Sequence, residues 1–127
     1  MIAMPTRRGN LAMASSKANV REVGVVTIVD LKGLLMLGES SAVLRMTIRE
    51  LMDRQCRKIV LNFREVTQID SAGVGELVAA FSTVKSKDGQ LKLLNPPKKV
   101  QDMLKLTQLV KLIDVYADEQ SAIRSFG

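Results

Sequence analysis

The chain has no histidine and no tryptophan, and only one cysteine, one tyrosine, three phenylalanines and three prolines among its 127 residues. Each scarcity removes a class of explanation. Without histidine there is no histidine-based catalytic triad and no ordinary zinc site, and Cys56 alone forms no intramolecular disulfide. With so few aromatic residues the core has to be aliphatic. No apolar run approaches the roughly 18 residues that span a bilayer, and Arg7 and Arg8 are not followed by the apolar segment of a secretory signal. A cytoplasmic protein without membrane association, metal or cofactor is expected.

Apolar residues make up 46% of the chain and are spread along it, enough for one domain with its own core. The net charge of +6 is uneven: residues 1–21 hold Arg7, Arg8, Lys17 and Arg21 with no acid. Residues 1–17 are polar, small and aperiodic and read as a disordered basic tail, leaving residues 18–127 as the domain. Such tails serve nucleic acid or anionic lipid in some proteins, but a solvated terminus is the plainer reading, and no direct nucleic-acid partner is expected.

Along the domain, Ala18 to Val23 and Val25 to Lys32 are rich in β-branched residues and separated by Gly24, which predicts a strand pair. Gly33 to Glu39 reads as a connection held against the body. Ser40 and Ser41 then offer capping oxygens to a helix ending near Gln55, with Leu44, Ile48 and Leu51 inward. Further strands are expected at Lys58–Phe63, Gln90–Asn95 and Leu112–Tyr116. Further helices are expected from the central turn to about Lys87, over Lys98–Leu106, and after a cap at Asp118. The order is β-β-α-β-α-β-α-β-α, an α/β fold with a small mixed sheet flanked by helices: parallel strands joined by helical crossovers, with one antiparallel strand at the N-terminal end.

The polar turn inside Thr67-Gln-Ile-Asp-Ser-Ala-Gly-Val-Gly-Glu-Leu-Val78 is the part that packing does not explain. It lies between a strand and a helical stripe of Val74, Leu77, Val78, Phe81 and Val84, so it meets the unpaired N–H groups and the positive dipole end of a helix. Enzyme readings of it fail. Gly73-Val-Gly75 begins like a dinucleotide fingerprint, but Val78 takes the third glycine position and no suitably placed acid follows. A serine nucleophile at Ser71 needs a base, for which the absence of histidine leaves only Asp70 or a distant lysine, and nothing in the sequence joins Asp70 and Glu76 in a metal set. Two readings stay open on residues alone. Asp70 and Ser71 cap the helix, or the second oxygen beside two glycines is a phosphorylation switch at Ser71.

Ile69-Asp-Ser-Ala-Gly-Val-Gly75, preceded by Ile59-Val-Leu-Asn-Phe63, resembles the signature of STAS-domain proteins of the anti-sigma factor antagonist family, and the likeness extends over about residues 18 to 127. The resemblance implies a non-enzymatic protein that binds an anti-sigma factor serine kinase, is released when that kinase phosphorylates it, and is restored by a phosphatase acting on the phosphoserine. Ser71 matches the phosphorylated serine and Asp70 the acid beside it; Gly73 and Gly75 match the turn glycines. Ala72 stands where many members have a second hydroxyl, which leaves Ser71 as the sole acceptor of the motif, and Met36 stands where many carry an aspartate. The partner surface is expected to include Leu35, Gly38, Glu39, Ser40, Ser41, Ala72, Val74 and Glu76, with a core role as the alternative for Val74. The alternative function is a constitutive STAS interaction module in a scaffold or transporter assembly. Cys56, beside Arg57 and Lys58, reads as structural.

Overall fold

The computed structural model describes residues 17–127, except for the side chains of Lys17, Glu39 and Ser40. Five strands form one sheet in sequential order: β1 (Lys17–Val23), β2 (Val26–Leu35), β3 (Lys58–Ile69), β4 (Gln90–Leu94) and β5 (Val115–Tyr116). β1 pairs antiparallel with β2, and every later pairing is parallel. The Gly24-Val25 loop closes the hairpin, with Gly24 at φ 63 supplying the left-handed residue that a two-residue hairpin turn needs. Parallel neighbours require crossovers. Helices α1 (Glu39–Asp53), α2 (Ser71–Ser86) and α3 (Lys98–Leu106) provide them, the last followed by a short 3-10 turn at Leu109–Lys111.

All three crossover helices pack on one face of the sheet. Leu44, Ile48 and Leu51 of α1, Val74, Leu77 and Val84 of α2, and Val100 and Leu104 of α3 meet Val29, Leu31, Ile59, Leu61, Phe63 and Leu93 in one aliphatic core. The second face is covered by a short C-terminal helix, α4 (Glu119–Arg124), capped as expected by Asp118, whose carboxylate accepts the Ser121 N–H. Ala122 and Phe126 close over Val26, Ile28, Val60 and Leu94. Two polar devices hold α4 in place. Arg21 on β1 bonds both Asp30 and Glu119, and Lys92 on β4, 8% exposed, donates from Nζ to the Ser125 carbonyl and hydroxyl and lies 4.5 Å from the Phe126 ring centre.

The element order and strand directions match the sequence reading, and several boundaries do not. β2 runs on through Gly33 to Leu35, because Gly33 at φ 94 accommodates a register shift in the pairing with β3 instead of ending the strand. β3 likewise extends to Ile69, so the expected turn after Phe63 is strand. The α1 N-cap is Gly38; Ser40 and Ser41 lie inside the helix, and the Ser41 hydroxyl donates to the Gly38 carbonyl. β5 is only two residues long, since Leu112 and Ile113 belong to the turn after the 3-10 segment. In the 3-10 turn after α3, Leu109 is buried and Val110 exposed. The expected tail, residues 1–17, lies outside the described residues save for Lys17, whose backbone opens β1.

Candidate functional site

Long parallel strands carry their chain ends to one edge of the sheet, so the loops after β2 and β3 meet at the carboxyl end where open α/β sheets place their sites. Leu35 and Ile69 are register partners there, and Asp70 N–H continues the ladder by donating to the Leu35 carbonyl at 3.3 Å. Asp70 has extended backbone (φ −112) and is the N-cap of α2. One carboxylate oxygen accepts the Gly73 N–H at 2.9 Å, and the other accepts the Leu37 N–H at 3.2 Å. The side chain therefore caps one helix and tethers the loop that leads into another. These bonds, the Gly73 bond first, hold the Asp70 carboxyl below the ordinary carboxylate range.

With Asp70 capping, Ser71 is the first residue of α2, exposed, and its hydroxyl takes part in no hydrogen bond with any described residue. The capping role shared between the two residues in sequence thus falls to Asp70 alone. The two glycines also part company. Gly73 is buried with no positive φ, and a Cβ there would collide with the Leu35 carbonyl oxygen and come within 2.8 Å of Ile69 Cγ1. Gly75 is exposed in the second turn of the helix, and a Cβ would meet nothing within 4 Å. Gly73 is there for a close approach between elements, whereas Gly75 leaves the helix surface next to Ser71 bare.

The expected partner surface is reorganised by burial. Leu35 (3% exposed), Ser41 (4%) and Val74 (8%) lie beneath the surface: Leu35 and Val74 are in the core, and Ser41 is turned onto its own helix. Gly38 is exposed, and Ala72 and Glu76 are half-buried; the side chains of Glu39 and Ser40 lie outside the described residues. Two further residues belong to this surface. Leu37 is 81% exposed in the turn that Asp70 tethers, and Arg45 of α1 pairs with Glu76 of α2 at 2.8 Å. An apolar residue directly before Gly38 in a run too long for one strand was the available signal for Leu37. Nothing in the spacing linked Arg45 to Glu76, 31 residues away. Among the described residues no group of three or more candidate metal ligands occurs, and no helix is long and apolar enough to cross a membrane.

A five-stranded mixed sheet with three helices on one face, and a bare serine opening the helix after its third strand, defines a recognisable class. The chain belongs to the STAS domain family, whose model matches residues 17–122. It is 30% identical over 100 residues to the anti-sigma F factor antagonist of Paenibacillus polymyxa, covering 77% of this chain and 84% of that protein. Its fold superposes on a crystal structure of a Thermotoga maritima protein with a TM-score of 0.79 at 24% identity, over 85% of this chain and 92% of the other. It also superposes on the Bacillus cell fate determinant SpoIIAA in its phosphorylated form, with a TM-score of 0.67 at 21% identity, over 87% and 99% of the two chains.

Proposed function

We propose that this protein is an anti-sigma factor antagonist. Its unphosphorylated Ser71 surface binds an anti-sigma factor serine kinase, and phosphorylation of Ser71 by that kinase ends the binding until a phosphatase removes the phosphate. The observation that carries this reading is the division of labour at the head of α2. Asp70 satisfies the helix, so the Ser71 hydroxyl is exposed and bonds to none of the described residues. The Paenibacillus relative's name points the same way. In the transfer, Ser71 Oγ attacks the γ-phosphorus of ATP, the bond to the β-phosphate oxygen breaks, ADP leaves, and the hydroxyl proton passes to the kinase's base.

The physical effect follows from where the charge lands. A phosphate adds about −1.5 to −2 units and three acceptor oxygens. On the free domain it meets the α2 N-terminus, favourable by about 0.3–1 kcal/mol, and also the Asp70 carboxylate, which repels it, so the fold changes little. In a packed interface over Ser71, Gly75 and Leu37, the same dianion would be buried without partners. That costs several kcal/mol, about a thousandfold or more in affinity. Binding to the partner is the quantity switched, and catalysis by this chain has no part in it.

The test is calorimetric titration of wild type, Ser71→Ala and Ser71→Asp into the candidate kinase with nucleotide, with intact mass read after incubation with ATP. Wild type gains one phosphate and Ser71→Ala none. Ser71→Ala keeps its affinity and Ser71→Asp loses it. Equal affinities for all three, with no phosphate on wild type, would instead identify a constitutive interaction module.

A further inference from the structure

Helices α1 and α2 pack side by side, and as crossovers between parallel strands both run from the Ser71 edge of the sheet back to the opposite edge. Between their outer faces lies an open groove of about 290 Å³. Arg45, Arg49 and Asp53, four residues apart, form its α1 wall, and the buried side chains of Ile48, Met52 and Ala80 form its floor. The α2 wall is Glu76, Ala79, Thr83 and Lys87. The Arg45–Glu76 pair bridges the groove at 2.8 Å near its Ser71 end. Beyond that bridge the rim charges are unmatched: the side chains of Arg49, Asp53 and Lys87 are exposed and form no hydrogen bond or ion pair with a described residue.

The groove is continuous with the Ser71 surface. Ser71, Gly75, Ala79 and Thr83 follow one another at four-residue spacing, and all four are exposed. Such a row is a packing ridge inclined to the helix axis, so it crosses the open face of α2 obliquely, from Ser71 at the helix head to the groove at Ala79 and Thr83. A partner that covers Ser71 therefore reaches the groove without leaving the ridge. No side chain on that ridge is larger than threonine, so a second helix can settle close to the α2 backbone and lower an aliphatic stripe onto Ile48, Met52 and Ala80. From Glu76 to Lys87 the groove runs about 16 Å, roughly three turns of such a helix.

Charge adds a second constraint on the occupant. Of the three unmatched rim groups two are cations, and Arg49 stands one helical turn past the bridging Arg45. A complementary helix presents a carboxylate there. We propose that this groove docks a helix of the anti-sigma factor kinase, aliphatic on the face it buries and carrying a carboxylate toward Arg49. This rests on the reading of Ser71 given above and divides the work of the interface: the groove supplies affinity, and Ser71 decides whether that affinity can be used.

The experiment measures, on the full chain and the candidate kinase, calorimetric affinity with nucleotide present and the steady-state kinetics of phosphorylation. Ala79→Arg obstructs the groove and should weaken binding about tenfold or more, raising KM by a similar factor while kcat stays within about twofold, because Ser71 is unaltered. Arg49→Glu, which sets like charges together, should also weaken binding about tenfold. Ser82→Arg, exposed on the flank of α2 turned away from α1, should bind as wild type does. All three sites are exposed, so the melting temperatures should agree within about 2 °C. Hydrogen exchange should show one kinase helix protected by wild type and not by Ala79→Arg. Wild-type affinity for Ala79→Arg and Arg49→Glu, with Ser71→Asp still weakened, would overturn the groove and leave the Ser71 reading standing. No binding and no phosphorylation of wild type would overturn both. Kinase affinity unchanged in Ala79→Arg, with a wild-type dimer in sedimentation that this variant loses, would place a second copy of the chain in the groove and overturn the proposal.

Discussion

The carbonyl oxygen of Leu35 lies against the Cα of Gly73, in the space a Cβ would need. Through this contact the end of β2 packs directly onto the first turn of α2, which brings the Leu37–Gly38 turn within reach of Asp70. The glycine is thus required by the approach of two elements and not by its own dihedral angles, which are helical.

The two glycines of the motif should respond oppositely to the same change. Gly73→Ala forces the Leu35 backbone away and should cost about 3 kcal/mol or more, at the upper end of overpacking effects. Gly75→Ala adds a methyl group to open space on a helix and should gain about 0.5–1 kcal/mol. Chemical denaturation of both variants checks this; similar stabilities would refute the close-approach argument.

Asp70 should be the residue of the pair that holds the fold. Asp70→Ala removes the α2 cap and the loop tether together and should lower the melting temperature by about 5 °C. Because the folded-state carboxyl is held below its ordinary value of about 3.9, its contribution is fully present above about pH 4 and is lost as pH falls through the lower, folded-state value. The melting difference between wild type and Asp70→Ala should therefore be constant from pH 5 to 8 and shrink below pH 4. Asp118 is also held low, by Ser121, and cancels because it is present in both proteins.

Ser71→Ala, in contrast, should melt within about 2 °C of wild type, as expected for an exposed side chain with no partner among the described residues. A loss as large as that of Asp70→Ala would show that the hydroxyl carries structure after all.

Leu37 should matter to binding and not to folding. Its side chain is 81% exposed, so Leu37→Ser should leave the melting curve in place. If the partner covers it, the lost burial should weaken association by about tenfold or more in calorimetry. Unchanged affinity would place the interface elsewhere.

Lys92 is a buried cation with no carboxylate partner among the described residues, held by Ser125 and by the faces of Phe126 and Tyr116. Lys92→Met keeps the stem but strands the Ser125 carbonyl, and should cost about 1–3 kcal/mol. Enhanced proteolysis near the C-terminus would accompany the loss.

The architecture was legible because its helices carry clean stripes: Leu44, Ile48 and Leu51, then Val74, Leu77 and Val84, repeat at helical spacing and are all buried. The strand ends were less so. Gly33 reads as a breaker, and only the pairing with β3 shows that it continues β2 through a register shift. At the site, the sequence narrowed attention to Asp70 and Ser71 but could not divide their roles, because either oxygen suits a cap. The division depends on Leu37, 33 residues away from Asp70, donating to the same carboxylate. Leu35 and Ser41 were expected near the partner for their closeness in sequence to the motif; tertiary packing, which local spacing does not encode, buries them, and for Val74 the core role offered by its helical stripe is the one the structure shows.

The Arg21–Glu119 bond joins residues 98 apart, and the helix that supplies Glu119 is the last element of the described chain. During synthesis, β1 to β4 emerge well before the segment that covers their second face. Val26, Ile28, Val60 and Leu94 therefore stay open to water, chaperones and proteases until α4 has been made. A chain cut before Asp118 would keep the whole Ser71 region yet carry a naked apolar sheet face, and such a product should be cleared instead of competing with the intact protein for its partner.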